Sequence, residues 1–223
     1  MKTEGRSADE IVANALVDHS SWHFFQAMSW LDLAKRTQRP AALHYAAFEL
    51  RYGIEYLLFE LLVLTNRGLT EEEYQKCLGD PHAMKKTLRS AEVDYEHLAD
   101  FSRIVLSLDS KVPKLRYWKL EELFKYWGIA SEFLHFAGAH SRTYANEYWF
   151  VMSLARLESV LAPIWEVSTT TFGLGLIPRN EMEPEVLQAY HEFSAGNLKE
   201  EDLKIRMRLL HPLLKERMNR KRR

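Results

Sequence analysis

The stretch that decides the fold is HYAAFELRYGIEYLLFELLVL, which runs from His44 to Leu64. Its apolar residues recur at intervals of three and four, the spacing that places side chains on one face of an α-helix. At 100° per residue, Arg51 and Glu55 fall in line with that apolar face. An unpaired charge in a core is costly, whereas Arg and Glu four residues apart can pair. The stretch therefore predicts a long, mostly covered helix. Its charges form an internal ion pair, or Arg51 snorkels to an edge, or the two residues line a cleft or a subunit interface.

The rest of the chain also indicates helices. Pro40 suits the first turn of the long helix, Gly68 suits its left-handed end, and Ser7–Glu10 and Thr70–Glu73 both fit a capping box. No window alternates with period two, and no internal repeat is present. We expect an all-α fold, a four- or five-helix up-down bundle with additional C-terminal helices. The helices are predicted at about 8–36 (with a break near DHSSWH), 40–67, 70–78, 81–91, 94–108, 120–138, 141–171, 184–194 and 198–218.

Composition and charge limit the class of protein. The chain has 223 residues, of which 47% are hydrophobic and 27% charged, and its formal charge is -1. These values favour one main bundle domain, predicted at 1–172, followed by a loop and a C-terminal helical extension at 173–223. The single Cys77 excludes an intrachain disulfide and favours a reducing compartment. The first residues lack an apolar leader-like segment, and Glu55 and Glu60 interrupt the longest apolar run, so we expect a cytoplasmic protein with no membrane partner.

A second helix repeats the pattern of polar residues near an apolar face. In LEELFKYWGIASEFLHFAG, Leu120–Gly138, the residues Phe124, Gly128, Ser131 and His135 form one stripe. Glycine costs a helix about 1 kcal/mol relative to alanine, so Gly128 suggests the close approach of another backbone or of a ligand. A lone histidine at such a boundary is usually a hydrogen-bonded core residue, and it can also be a general base. We expect this stripe to face the Arg51 and Glu55 stripe.

The combination of an RYGIEYLL helix with a later WGIASEFLH helix resembles the HEPN superfamily over roughly residues 20–170. The resemblance implies a four- or five-helix bundle and a homodimer, often in bacterial toxin–antitoxin or phage-defence systems. Many members cleave RNA with an Arg, an adjacent polar residue and a His four to six residues after the Arg. Two segments meet this spacing, RPAALH at 39–44 and RMRLLH at 206–211, and neither has the polar residue after Arg.

The resemblance leads to a set of expected site residues for a metal-independent ribonuclease. We expect His135 to act as general base on a ribose 2'-hydroxyl, Arg51 to stabilise the phosphate charge and Glu55 to orient Arg51. No metal ion and no other cofactor is expected. RNA or a nucleotide, a second copy of the chain and a partner protein encoded nearby are the expected partners. Further substrate contacts are expected from Ser131, Glu132, Lys125 and His44.

The C-terminal end is strongly basic. From Lys204 to Arg223 there are nine Lys and Arg residues and one acidic residue, Glu216. A solvated, frayed helix end explains such a run, and so does a surface that binds phosphates. The expected nucleic-acid contacts are Lys215, Arg217, Arg220, Lys221, Arg222 and Arg223.

Two alternatives come from other classes of protein. The first is a di-metal oxidoreductase, because EFLH at 132–135 has the Glu-x-x-His spacing of carboxylate bundles, with DYEH at 94–97 as a possible second copy. HSSWH at 19–23 also places two histidines four residues apart. The second alternative is a non-enzymatic interaction or dimerisation module, favoured by aromatic-rich segments such as WHFFQAMSW and NEYWFVM.

Overall fold

The computed structural model describes residues 19–65, 70–90, 92–112, 116–134, 147–170, 176–177 and 179–221. Within these residues the chain is helical apart from short connections, and none of them forms a strand, which confirms the all-α prediction. The helices are α1 (Ser20–Thr37), α2 (Pro40–Thr65), α3 (Glu71–Gly79), α4 (Pro81–Ser90), α5 (Glu92–Leu106), α6 (Leu120–Glu132), α7 (Glu147–Thr170), α8 (Pro184–Ser194) and α9 (Glu200–Lys221).

The predicted helix starts depend on local chemistry that the structure reproduces. Pro40 is the first residue of α2, where its missing N–H costs nothing. At the start of α3, the Thr70 hydroxyl accepts from the Glu73 amide at 3.3 Å, and the Glu73 carboxylate accepts from the Thr70 amide at 2.8 Å. This is the predicted capping box. The box predicted at Ser7–Glu10 and the cap predicted at Gly68 lie outside the described residues.

The described residues form two compact units. The first takes in the described residues up to Arg89 together with Trp118–Thr169, and the second takes in Ser90–Tyr117 together with the described residues from Thr170 onward. The division that we predicted, at 172/173, did not assign Ser90–Tyr117 to the C-terminal group.

In the first unit, α2 is the central helix. Both α1 and α6 pack on it, along different sides of its circumference. The result is the extensive coverage that its apolar sequence predicts. Its largest fully buried side chains are Leu43, Leu50, Ile54, Leu57, Leu58, Leu61 and Leu62.

The α1–α2 contact is closest at Gly53. A Cβ atom built at this glycine would lie 2.5 Å from Cε1 and 2.7 Å from Cδ1 of the Phe24 ring, which is itself fully buried. Real Cβ atoms do not come that close to ring atoms. Gly53 therefore lets two helices approach at a distance that any larger residue would prevent.

A carboxylate of α2 caps the first turn of α1. Glu60 accepts from the Ser20 amide at 3.0 Å and from the Ser20 hydroxyl at 2.7 Å, and so satisfies an N–H that the helix leaves unpaired. Burial raises the pKa of Glu60, and the two hydrogen bonds from Ser20 oppose that rise in part. One turn further on, His23 Nδ1 lies 2.8 Å from the Glu49 carboxylate while its ring stacks on Tyr56.

The second unit is built from α5, α8 and α9, which pack on one another. A hydrogen bond of 3.0 Å from the Ile177 amide to the Ser102 hydroxyl joins the segment before α8 to α5. Arg179, in a single 3₁₀ turn, lies over the Tyr190 ring at 5.2 Å. The core of this unit consists of Leu98, Phe101, Ile104, Met182, Val186, Ala189, Tyr190, Leu203 and Met207.

Among the described helices, none combines the length and the apolar character that a membrane crossing requires.

Candidate functional site

The centre of the site is one carboxylate oxygen of Glu55, which accepts hydrogen bonds from two other side chains. Arg51 Nε donates to Glu55 Oε1 at 2.9 Å, and the indole Nε1 of Trp127 on α6 donates to the same oxygen at 2.9 Å. The Arg51 guanidinium also lies over the Trp127 ring, 5.3 Å from its centroid. The ion pair expected from the four-residue spacing is present. The predicted helix meets it through Trp127, which lies beside the predicted stripe and is not one of its residues.

Arg51 and Glu55 are partly exposed to solvent. Their side chains are 27% and 22% exposed, respectively. Of the guanidinium nitrogens of Arg51, only Nε donates a hydrogen bond to Glu55. No described residue accepts a hydrogen bond from the two terminal nitrogens of Arg51. Because Glu55 and Trp127 fix the plane of the guanidinium, these two nitrogens are oriented before any ligand arrives.

Two further cations reach the same helix from α4. Lys85 Nζ lies 5.0 Å from the centre of the Phe124 ring, and Arg89 Cζ lies 5.9 Å from it. Within the part of the chain that the structure describes, neither Lys85 nor Arg89 forms an ion pair. We call Arg51, Lys85, Arg89, Phe124 and Trp127 the basic–aromatic cluster.

An exposed row of rings runs along α2 next to Arg51. Tyr45, Phe48 and Tyr52 are 55%, 44% and 40% exposed, and the Phe48 and Tyr52 rings are 4.6 Å apart. Trp30 of α1 stacks on Tyr45 at 4.8 Å. Residues three and four apart on a helix are neighbours, so Phe48 and Arg51 lie side by side. We call Tyr45, Phe48 and Tyr52 the aromatic strip.

A scan against protein-family models, a search of curated proteins and a search of solved structures each found no match.

The predicted substrate contacts lie at separate places around α6. Ser131 is 5% exposed, and its hydroxyl donates to the Trp127 carbonyl within the same helix. Glu132 forms an ion pair with Arg156 of α7 at 2.7 Å. His44 Nδ1 lies 3.0 Å from the Phe133 carbonyl, which can only accept, so this nitrogen carries the proton of the neutral ring. Lys125 is exposed. None of these contacts reaches Arg51, and the roles of the four residues in substrate binding stay predictions.

The described residues include neither the predicted general base nor the whole of the predicted tail. His135, Arg222 and Arg223 lie outside the described residues. Arg220 and Lys221 belong to the last turn of α9. Lys215 is exposed, whereas Arg217 forms an ion pair with Glu185 of α8 at 2.7 Å and lowers the pKa of that carboxyl. Part of the basic charge of the tail therefore has a partner within the second unit.

The glycine of the second stripe differs from expectation. Among the described residues, no atom comes within 4 Å of a Cβ built at Gly128, apart from its own helix and immediate neighbours. The expected approach of another backbone is therefore not found among the described residues.

The described part of the chain contains no set of metal ligands for the di-metal alternative. No three His, Cys, Asp or Glu side chains among those residues are close enough to hold one ion. Asp94 pairs with Arg179 at 3.5 Å, and Glu132 pairs with Arg156. In the HSSWH segment, which also places two histidines four residues apart, His19 accepts a hydrogen bond from the Trp22 amide at 3.3 Å.

Lys85 and Arg89 were not among the residues expected from the sequence. In PHAMKKTLRS their four-residue spacing puts them beside Met84 and Leu88, which are buried. That amphipathic pattern shows that one flank of α4 is basic. It does not show that this flank meets the Trp127 helix, because the period of one helix contains no information about its neighbour.

The assembled surface suits a ligand that is both anionic and planar. Oriented guanidinium N–H groups and unpaired ammonium charge bind phosphate oxygens. Exposed aromatic rings stack on flat, apolar faces such as nucleobases.

Proposed function

We propose that this protein binds single-stranded RNA at the basic–aromatic cluster, within a helical bundle of the HEPN type. The observation that supports this proposal is that Glu55 and Trp127 of α6 hold the Arg51 guanidinium in place. One turn before Trp127, Phe124 of the same helix contacts two cations, Lys85 and Arg89, that have no described counter-ion. Arg51 contacts one phosphate with its terminal nitrogens, and Lys85 and Arg89 supply charge for its neighbours.

The aromatic strip supports a single strand over a duplex. Stacking of one base on one ring contributes about 1–3 kcal/mol, and a duplex cannot offer its bases to rings on a convex helix surface. Tyr45, Phe48 and Tyr52 present about half of their surface to solvent beside Arg51. Phosphates therefore lie at the cluster while unstacked bases lie along the strip.

Substitution of the cations should change both the affinity and its salt dependence. Each neutralised phosphate of a single strand contributes a slope of about -0.7 to the logarithmic salt plot. We expect the Lys85→Ala/Arg89→Ala double variant to bind a labelled 12-nucleotide RNA about tenfold more weakly and to flatten the slope by about 1.4, measured by fluorescence anisotropy.

The matched control is Lys86→Ala/Arg36→Ala, which removes the same formal charge from exposed positions outside the cluster. It should change the affinity by less than threefold. Equal losses for both double variants would mean that net charge, and not this site, attracts RNA. A parent protein that binds double-stranded RNA as tightly as single-stranded RNA would contradict the role of the strip.

The same proposal assigns RNA cleavage to His135. As a general base it takes the proton of a ribose 2'-hydroxyl, and the oxygen attacks the adjacent phosphorus. The bond from phosphorus to the 5'-oxygen breaks, this oxygen takes a proton from water, and a 2',3'-cyclic phosphate remains. Arg51 stabilises the charge on the phosphoryl oxygens. We expect His135→Ala to abolish cyclic-phosphate product while RNA affinity and melting temperature stay within error. Product formation at the parental rate in that variant would remove the assignment.

The resemblance to HEPN proteins extends the proposal to partners and context. RNA cleavage in that superfamily uses two copies that meet in a homodimer, so a homodimer belongs to this proposal. A toxin–antitoxin or phage-defence system in the cytoplasm, with a partner protein encoded nearby, is the corresponding context.

A second candidate is a non-enzymatic interaction module. It is favoured by a pocket of about 430 Å³ between α1 and α7. The apolar residues that line this pocket include Met28, Leu161 and Trp165. Trp22 and Phe25 continue this surface, because the two rings are 6.0 Å apart and Phe25 lies 6.4 Å from Trp165. This candidate and RNA binding separate cleanly, since only RNA binding depends on Lys85 and Arg89.

A further inference from the structure

A histidine lies at the edge of the basic–aromatic cluster. The His82 and Trp127 rings are nearly perpendicular, and their centroids are 6.5 Å apart. The Arg51 guanidinium lies over the same indole, 5.3 Å from its centroid. His82 is exposed, and all three residues belong to the first unit. An imidazole and a guanidinium therefore share the Trp127 ring as a neighbour.

His82 also shares a face of α4 with two cations of the cluster. Residues three and seven positions apart lie within about 60° of each other around a helix, so His82, Lys85 and Arg89 are on one side of α4. Lys85 and Arg89 contact the Phe124 ring, and His82 contacts the Trp127 ring one turn further along α6. The three basic side chains therefore form a row that follows the two rings.

The charged neighbours of His82 on its own helix are mostly cations. Lys85 and Lys86 lie one turn away from His82, and Arg89 lies two turns away. Asp80, just before α4, accepts a hydrogen bond from the His82 amide at 2.8 Å. Among the described residues, no carboxylate pairs with the His82 ring. A protonated His82 therefore adds to a surface that already attracts anions.

The other two helices at the cluster do not supply a counter-ion either. On α2, Glu55 accepts from Arg51 and from the Trp127 indole. On α6, the charged side chains lie about 120° or more from Trp127 around the helix, on its other sides. These residues are Glu121, Glu122, Lys125 and Glu132.

We infer that His82 is a further phosphate-binding residue of this site, which binds in its protonated form and makes RNA binding tighter as the pH falls. This inference rests on the RNA binding proposed above. An imidazole changes its charge between about pH 5 and 8, and a phosphate beside it favours the charged form. Because binding linkage is reciprocal, the bound proton favours the phosphate to the same extent.

Fluorescence anisotropy with a labelled 12-nucleotide oligouridylate tests the inference. Neither the phosphates nor the bases of this RNA change their charge appreciably between about pH 6 and pH 8. The parent should bind it about fivefold more tightly at pH 6 than at pH 8, with a salt slope that is steeper by about 0.7 at pH 6. His82→Gln should show less than a twofold difference between the two pH values.

His82→Lys separates the charge of the side chain from the shape of its ring. Lysine is charged at both pH values, so this variant should bind at pH 8 about as tightly as the parent binds at pH 6, with no further change on acidification. Both variants at position 82 lose the ring contact with Trp127, so this loss cannot explain opposite effects on affinity. The matched control is His191→Gln, at an exposed histidine of α8 in the second unit, which should keep the parental pH dependence.

Three results would overturn the inference. They are a parent with equal affinity at both pH values, a His82→Gln variant that keeps the pH dependence, and a His82→Lys variant that binds no more tightly than His82→Gln at pH 8. If Lys85→Ala/Arg89→Ala still weakens binding at pH 8, these results leave RNA binding at the cluster in place. A parent that binds no RNA at either pH contradicts the proposed function and this inference together.

Discussion

Gly53→Ala is expected to destabilise the protein by about 2 kcal/mol, whereas Gly128→Ala is expected to stabilise it by about 1 kcal/mol. Both substitutions gain the same helix propensity, about 1 kcal/mol. At Gly53 the new methyl group would lie 2.5 Å from the ring of Phe24, which is fully buried and cannot move aside. At Gly128 it meets no described atom outside its own helix and neighbours within 4 Å.

Urea unfolding monitored by circular dichroism measures both differences, and the contrast between them removes the shared propensity effect. Phe24→Leu supplies a control, because a smaller side chain makes room for the methyl group. The Phe24→Leu/Gly53→Ala double variant should lose less stability than the sum of its single changes. Equal effects at the two glycines would show that the α1–α2 contact is looser than the structure has it.

Glu55→Leu is expected to destabilise the protein by about 2 kcal/mol, more than Arg51→Leu, for which we expect about 1 kcal/mol. Removing Glu55 takes the acceptor from both the Arg51 guanidinium and the Trp127 indole N–H. Removing Arg51 leaves Glu55 with its Trp127 donor. The pair is about a quarter exposed, so solvent screens it, and the losses stay below those of a fully buried ion pair.

The Glu55→Leu/Arg51→Leu double variant completes the thermodynamic cycle. It should lose less than the sum of the single changes, since each single change leaves an unpaired charge that the double variant lacks. Glu55→Gln keeps one oxygen that can accept both hydrogen bonds. We therefore expect this variant to be nearly as stable as the parent and more stable than Glu55→Leu. Additive losses across the cycle would mean that Arg51 and Glu55 do not interact in solution, and that Arg51 is not oriented before RNA binds.

The sequence predicts the helices well because their ends depend on local chemistry. Pro184 begins α8, and Thr70 with Glu73 begins α3, through interactions that span at most one helical turn. Which helices become neighbours depends on contacts distant in sequence. For that reason the grouping of α5 with α8 and α9 did not follow from periodicity, although the period of each helix did.

In the candidate site, too, the sequence predicts the contacts between residues close in the chain and not those between residues far apart. Arg51 and Glu55 stood out because charge on an apolar face requires a partner, and the four-residue spacing supplied one. Trp127 as the second donor to Glu55, and Lys85 and Arg89 as neighbours of Phe124, depend on how α2, α4 and α6 meet in space. The close backbone approach predicted at Gly128 is not found among the described residues, because glycine on a helix face fits a close contact and an open space equally well.

The carboxylate of Glu60 has a consequence for how the first unit forms. A helix normally takes the cap of its opening turn from a residue next to it in sequence, so that its start is specified locally. In α1 the local cap is His19, whose ring accepts from the Trp22 amide, and Glu60 adds a second cap from 40 residues away. The Glu60 side chain reaches the Ser20 amide only when α2 is already helical and alongside. The two helices are therefore interdependent: a peptide corresponding to α1 alone lacks this carboxylate, and the pair gains and loses order together.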